Sequence, residues 1–290
     1  MSLEVIYVTR HGFRSGWSVD PFTGVYTASI RSPTGIPADP ALTSHGVSQA
    51  KEMGHHLMTL VPPIDAVYSS PYYRCLQTIT PFVELKQQQL KEEPSIEGFA
   101  TATIRPEYGL GEFFGAAPFD HPIPASPKRL KDLFPAYDDN YVSAITPSRK
   151  GETIKDLYRR VAAAVQAIID RCDAEGKRAV VLCTHAAVII ALGRVLTGRF
   201  PDSVEEEDFH AFTCGLSTYR RRGTQRSPVS GPDESQSSIS EAISVEKWLC
   251  ELDSGCEFLS SGEERGWRFQ GDESFPGTGS MSQVEVESKL

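Results

Sequence analysis

The sequence predicts an α/β fold with a mostly parallel central sheet. Val5-Ile6-Tyr7-Val8-Thr9 is a short, β-branched apolar run that stops at Arg10-His11-Gly12, and Ala179-Val180-Val181-Leu182-Cys183-Thr184 is a second that stops at His185. Runs this short and this uniformly apolar read as strands buried on both faces, the habit of parallel sheets. Between them lie stretches with apolar residues three and four apart, the pattern of helices that cover such a sheet. Open α/β sheets bind ligands at the carboxyl ends of their strands. Arg10, His11 and His185 should therefore open onto one crevice, with Gly12 allowing the sharp turn out of the first strand.

The elements follow in order. Phe13 to Ala41 holds four prolines and reads as an irregular loop over the site, a candidate lid. Thr43 is the expected N-cap of a helix carrying Val47, Ala50, Gly54, Leu57, Met58 and Val61, which Pro62-Pro63 ends. Ile64 to Tyr68 is a second strand. Ser70 as N-cap and Pro71 at the first helical position then open a helix whose buried face is Cys75, Leu76, Ile79, Phe82 and Val83. Arg74 and Thr78 lie off that stripe, near the helix's amino end, where the backbone dipole favours anions. Pro94 to Lys150 is weakly periodic and reads as an insertion over the sheet's carboxyl edge, with a helix near Pro127 to Phe134. Ile154, Leu157, Val161, Val165, Ile168 and Ile169 mark an amphipathic helix, and Ala186 to Leu196 a buried one capped by Gly198. Phe212 to Tyr219 is expected as a last strand at the sheet's edge.

Composition sets limits on function. The net charge of −9 is confined to the tail: residues 1–226 carry 25 basic and 25 acidic groups, residues 227–290 carry 4 and 13. An acidic tail argues against direct contact with nucleic acid. No apolar run is long enough to span a bilayer, and the amino terminus lacks the basic flank of a signal peptide. Six cysteines without a CxxC pair read as reduced thiols, suiting the nucleus or, alternatively, the cytoplasm.

Two imidazoles with Arg10 and Arg74 in one pocket suit a dianionic phosphoryl group. Arg10-His11-Gly12, Leu42-Thr43 with Gly46 and Gln49-Ala50, Ser70-Pro71 with Arg74 and Thr78, Gly151-Glu152, and Thr184-His185-Ala186 together resemble the histidine phosphatase superfamily. The resemblance covers roughly residues 1–219 and implies a three-layer phosphoglycerate-mutase-like fold. It implies that His11 is a nucleophile that becomes phosphorylated, that Arg10, Arg74 and His185 bind the phosphoryl oxygens, and that no metal or other cofactor takes part. One branch of the superfamily places an Asp after the second His. Ala186 stands there, so the general acid should be a Glu of the insertion, and Glu112 in Gly111-Glu112-Phe113 matches that element. Arg14 completes Arg-His-Gly-x-Arg, which in the acid-phosphatase branch supplies another phosphate ligand. Trp17 replaces the Asn of the mutases, which points away from mutase substrates. Gly151-Glu152 reads as orienting a helix start, and His45, His55 and His56 as surface or packing groups of the first helix. His121, in the insertion, could touch substrate.

Arg-His-Gly-Phe-Arg-Ser-Gly-Trp, Tyr72-Tyr73-Arg74-Cys75-Leu76-Gln77-Thr78 and Thr184-His185-Ala186-Ala187 further resemble a narrower fungal group, the tau-55-like subunit of the RNA polymerase III general transcription factor C. Trp248, Glu257-Phe258-Leu259, Gly262-Glu263-Glu264 and Trp267 are similar to that group's tail, which docks on another subunit. The implied division is a phosphatase domain over 1–219, a disordered linker over 220–244, a β-rich partner-docking segment over 245–270, and a disordered tail over 271–290. Within the docking segment Trp248, Cys250 and Leu252 alternate, as do Phe258 and Ser260, with Gly255 between them, which reads as a hairpin. The implied partners are a phosphorylated substrate and another subunit of the factor. The implied function is a phosphomonoester hydrolase within that complex. A scaffold with a retained phosphatase fold and a free sugar-phosphate phosphatase are the alternatives.

Overall fold

The computed structural model describes residues 2–92, 102–222 and 248–270. β1 (Val5–Arg10) leads into a small hairpin of β2 (Trp17–Val19) and β3 (Tyr26–Ala28), then α1 (Ser44–Leu57), β4 (Ala66–Ser69) and α2 (Tyr73–Glu92). β5 (Ile104–Pro106), a 3-10 turn (Tyr108–Leu110) and α3 (Pro127–Leu133) make up the insertion. α4 (Ile154–Ala174), β6 (Ala179–Thr184), α5 (Ala186–Thr197), β7 (Leu216–Arg221) and β8 (Trp248–Gly255) follow.

Six strands form one sheet in the order β5-β4-β6-β1-β7-β8. β1, β4, β5 and β6 are parallel, while β7 runs antiparallel to both β1 and β8. Because successive side chains of a strand face opposite ways, the central strands feed two cores. Ile6, Val8, Val180 and Leu182 pack under α4 and α5, and Val5, Tyr7, Val181 and Cys183 under α1 and α2. The result is the expected three-layer α/β architecture. The sequence-based caps at Thr43 and Gly198 hold: Thr43 accepts from the Gly46 amide, and Gly198 is left-handed.

The lid segment is partly regular. β2 and β3 pair across it, and Trp17, Tyr26 and Phe114 pack together there. α2 begins at Tyr73 and not at Pro71: its first main-chain bonds run from Cys75 and Leu76 to the Tyr72 carbonyl, the Tyr73 amide donates to Asp39, and the Ser70 hydroxyl bonds His185 Nε2 at 2.8 Å. β7 is not an edge strand, since β8 pairs along its outer side. Arg220 and Arg221 belong to β7 and ion-pair with Glu251 and Asp173, so they do not start a linker. The rest of the expected linker, 223–244, and the expected tail, 271–290, lie outside the described residues.

The expected hairpin over 248–260 is corrected. β8 is a single strand of the chain's own sheet, and no return strand follows it among the described residues. Trp248 is fully buried in the α4/α5 core together with Phe269. The alternation of Trp248, Cys250 and Leu252 is real, but it is satisfied by β7.

After β8 the chain becomes a strap along one face of α1. Phe258 stacks on His56 at 4.2 Å, Ser260 donates twice to Glu52, and Glu264 accepts from Gln49 and bonds His45. Those four helix positions are spaced by four, three and four residues, which is one side of an α-helix.

Candidate active site

β1 and β6 are adjacent and in register, Arg10 opposite Thr184, so both strands end at the same level. That places His11 and His185 side by side, with ring centroids 5.4 Å apart. α2 starts beside them after β4 and delivers Arg74, which is fully buried. The insertion returns Glu112 to the same point. Arg74 Nη2 lies 2.8 Å from Glu112 Oε2 and 3.2 Å from His185 Nδ1, and Glu112 Oε2 lies 3.3 Å from His185 Nδ1. Arg74 and Thr78, off the apolar stripe of α2, are buried because they face this site.

The turn after β1 depends on close backbone approach. A Cβ on Gly46 would meet the Phe13 carbonyl at 2.0 Å, and one on Gly12 would meet the Gly46 carbonyl at 2.8 Å. Thr78 Oγ1 accepts from the Gly12 amide, and Gln49 Oε1 from the Phe13 amide. The motif residues Gly12, Gly46, Gln49 and Thr78 thus hold the loop that aims His11.

His11 Nδ1 donates to the Gly12 carbonyl at 2.9 Å, which leaves Nε2 as the unprotonated, nucleophilic nitrogen. Burial, then the positive field of Arg74, His185, Arg10 and Arg14, holds the His11 imidazole well below its ordinary value, so it is neutral. For His185, burial lowers the value, but Cys75 and Glu112 raise it by more, which favours the cationic ring. For Glu112, burial pushes upward, but His185 and Arg74 outweigh it and hold the carboxyl well below the usual range. Arg14 lies partly over the Trp17 ring, and burial with the neighbouring cations lowers it to about 9, so it stays charged at neutral pH. Three arginines and a cationic imidazole outnumber the Glu112 and Asp39 carboxylates and leave a net positive pocket, matched to a dianion.

Nitrogen and oxygen atoms of His11, Glu112 and His185 come within 4.8 Å of one another, a spacing that could hold a metal ion. The donor set argues otherwise. Arg74 already pairs with Glu112, and a guanidinium beside a divalent cation is repulsive.

Of the expected residues, Arg74, Glu112 and His185 contact one another beside His11, and the charges of Arg10 and Arg14 act on the His11 ring. Others escaped sequence reading. Asp39, from the lid segment, backs Arg74 at 3.5 Å and is fully buried. Arg160 on α4 forms a buried pair with Glu152 and donates to the carbonyls of Gly109 and Gly111, pinning the turn before Glu112. That gives Gly151-Glu152 its purpose. Cys75, expected as a core residue, has its sulfur 3.5 Å from His185 Nε2. His121 stacks on Phe114 and bonds Tyr26 and the Gly115 carbonyl. It lines a cleft of about 100 Å³ with Tyr72, Glu112 and Ile123.

Comparison with known proteins agrees with this geometry. The family model of the histidine phosphatase superfamily, branch 1, matches residues 6–230. The chain is 32% identical to the transcription factor tau 55 kDa subunit of Saccharomyces cerevisiae over 278 residues, 93% of this chain and 59% of that one. It is 27% identical to the ecdysteroid-phosphate phosphatase of Drosophila melanogaster over 73% of this chain and 30% of that one. The chain therefore spans less than two thirds of either relative. Among solved structures, the ecdysone phosphate phosphatase of Bombyx mori in complex with tungstate superposes with a TM-score of 0.53 at 23% identity, covering 81% of this chain and 96% of that one.

Proposed function

The chain belongs to the histidine phosphatase superfamily, branch 1, and from that premise we propose that it is a metal-independent phosphomonoester hydrolase working through a phosphohistidine on His11. The observation that carries the reading is the convergence of a neutral His11, with its Nδ1 proton fixed on Gly12, and the Arg74–His185–Glu112 cluster. Nε2 of His11 attacks phosphorus, forming a P–N bond as the P–O bond to the leaving alcohol breaks. Glu112 gives the leaving oxygen its proton. Water then attacks phosphorus, a P–O bond forms as the P–N bond to His11 breaks, Glu112 takes a proton from the water, and inorganic phosphate leaves a neutral His11. Arg10, Arg14, Arg74 and His185 stabilise the charge that spreads over the equatorial oxygens. The test is hydrolysis of an aryl phosphate with a chelator present. Activity lost with the chelator and restored by a divalent ion would overturn the metal-free mechanism.

The same protein is proposed to serve as a nuclear subunit of the RNA polymerase III transcription factor C. Similarity to the yeast tau subunit across 93% of the chain supports this. A partner would dock on the tail segment 245–270, whose described part leaves Leu249 and Leu252 of β8 exposed. Affinity capture from a native extract with mass spectrometry tests it. Recovery without other subunits of the factor would leave a free enzyme.

A further inference from the structure

Arg10 is held by the strap. Both hydrogens of its Nη1 are committed to main-chain carbonyls, one to Ala211 at 2.7 Å and one to Arg265. Arg265 lies on the strap, beyond the 6–230 that the family model matches. Its backbone is left-handed, φ 49°, which turns the chain at that residue. The preceding residue fixes the turn. Glu264 Oε2 accepts from Gln49 Nε2 at 2.8 Å and bonds His45 Nε2 at 2.5 Å, while its carbonyl accepts from the Thr213 amide. Gln49 is also the side chain that holds the Phe13 amide behind His11. One carboxylate thus ties the strap to His45 and to Gln49, the side chain that holds the His11 turn.

We infer that Glu264 is a positioning residue of the phosphate pocket: by fixing the Arg265 carbonyl and the Gln49 amide, it sets where Arg10 and the His11 turn stand. The inference rests on the phosphatase reading for its catalytic meaning. Its physical content is that oxyanion affinity depends on a carboxylate outside the family-matched region.

The experiment uses the full chain and tungstate, a tetrahedral oxyanion. Its dissociation constant is measured for wild type, Glu264→Ala, Glu264→Gln, Arg10→Ala and the Arg10→Ala/Glu264→Ala double variant. Glu264→Ala is expected to weaken tungstate about tenfold, less than the roughly 100- to 1000-fold of losing an oxyanion contact outright, because Arg10 is displaced and not removed. Glu264→Gln, which still accepts from Gln49, should recover most of the loss. In the Arg10→Ala background the Glu264→Ala effect should largely vanish, since both act through one contact. Equal affinities for wild type and Glu264→Ala, or full additivity in the double variant, would overturn the inference, as would a wild-type chain that binds no tungstate. A wild-type chain that binds tungstate but hydrolyses no phosphomonoester would remove the phosphatase reading, and the affinity ratios would still decide the strap's role.

Discussion

The Glu112 carboxylate and the Arg74 guanidinium are paired at 2.8 Å inside the pocket, the first 8% exposed and the second not at all. A phosphoryl dianion competes with Glu112 for the same guanidinium. When Arg74 turns to the phosphate, Glu112 loses its cation and gains a negative neighbour, and both changes raise its pKa. On the proposed mechanism, proton uptake by Glu112 is thereby tied to substrate binding. Glu112→Gln should slow alkyl phosphates about 100-fold or more while changing nitrophenyl phosphate by less than about tenfold, because only a poor leaving group needs the proton. Equal losses across a series of leaving groups would assign the acid elsewhere.

Asp39 carries a pH signature. Burial, opposed by Arg74, pushes its carboxyl from 3.8 up to about 7. A raised folded-state pKa contributes stability that is full below about pH 4 and is lost as pH rises towards 7. Asparagine does not titrate. The stability of Asp39→Asn relative to wild type should therefore improve between pH 5 and pH 8. Parallel urea midpoints for the two proteins across that range would contradict the assignment.

Arg160 and Glu152 form a buried pair, 2% and 7% exposed, with three hydrogen bonds between them. Arg160→Ala would strand the carboxylate and free the turn at Gly109 and Gly111. Loss of one partner of such a pair costs about 3–5 kcal/mol. Thermal unfolding of Arg160→Ala should show a large drop in Tm, and a shift of only a degree or two would show the pair to be dispensable.

The strands that end in histidines are legible because their runs are apolar throughout, and a strand buried on both faces has no other pattern. Glu112 is legible only by resemblance, since nothing local to Gly111-Glu112-Phe113 says that the insertion folds back onto Arg74. Asp39 and Arg160 act through tertiary contacts with no periodic signal. β8 misleads for a physical reason. Its alternation shows that one face is buried, but local sequence does not say against what, and the partner is β7, the preceding strand across residues 222–247. The strap's match to α1 is visible afterwards in the spacing of His45, Gln49, Glu52 and His56. In the sequence, His45 and His56 read as surface or packing groups, and Glu264 as part of a motif of the docking segment.

The central claim is covalent transfer to His11 Nε2, and the most direct measurement is trapping. Wild-type protein mixed briefly with a 32P-labelled phosphomonoester and denatured in alkali should retain label that is released by acid, as a phosphoramidate requires, with the label on the peptide containing His11. His11→Ala should retain none and lose turnover. His185→Ala should turn over about 100- to 1000-fold more slowly, as for loss of one oxyanion contact. Wild-type turnover by His11→Ala, or label on any other residue, would contradict the account.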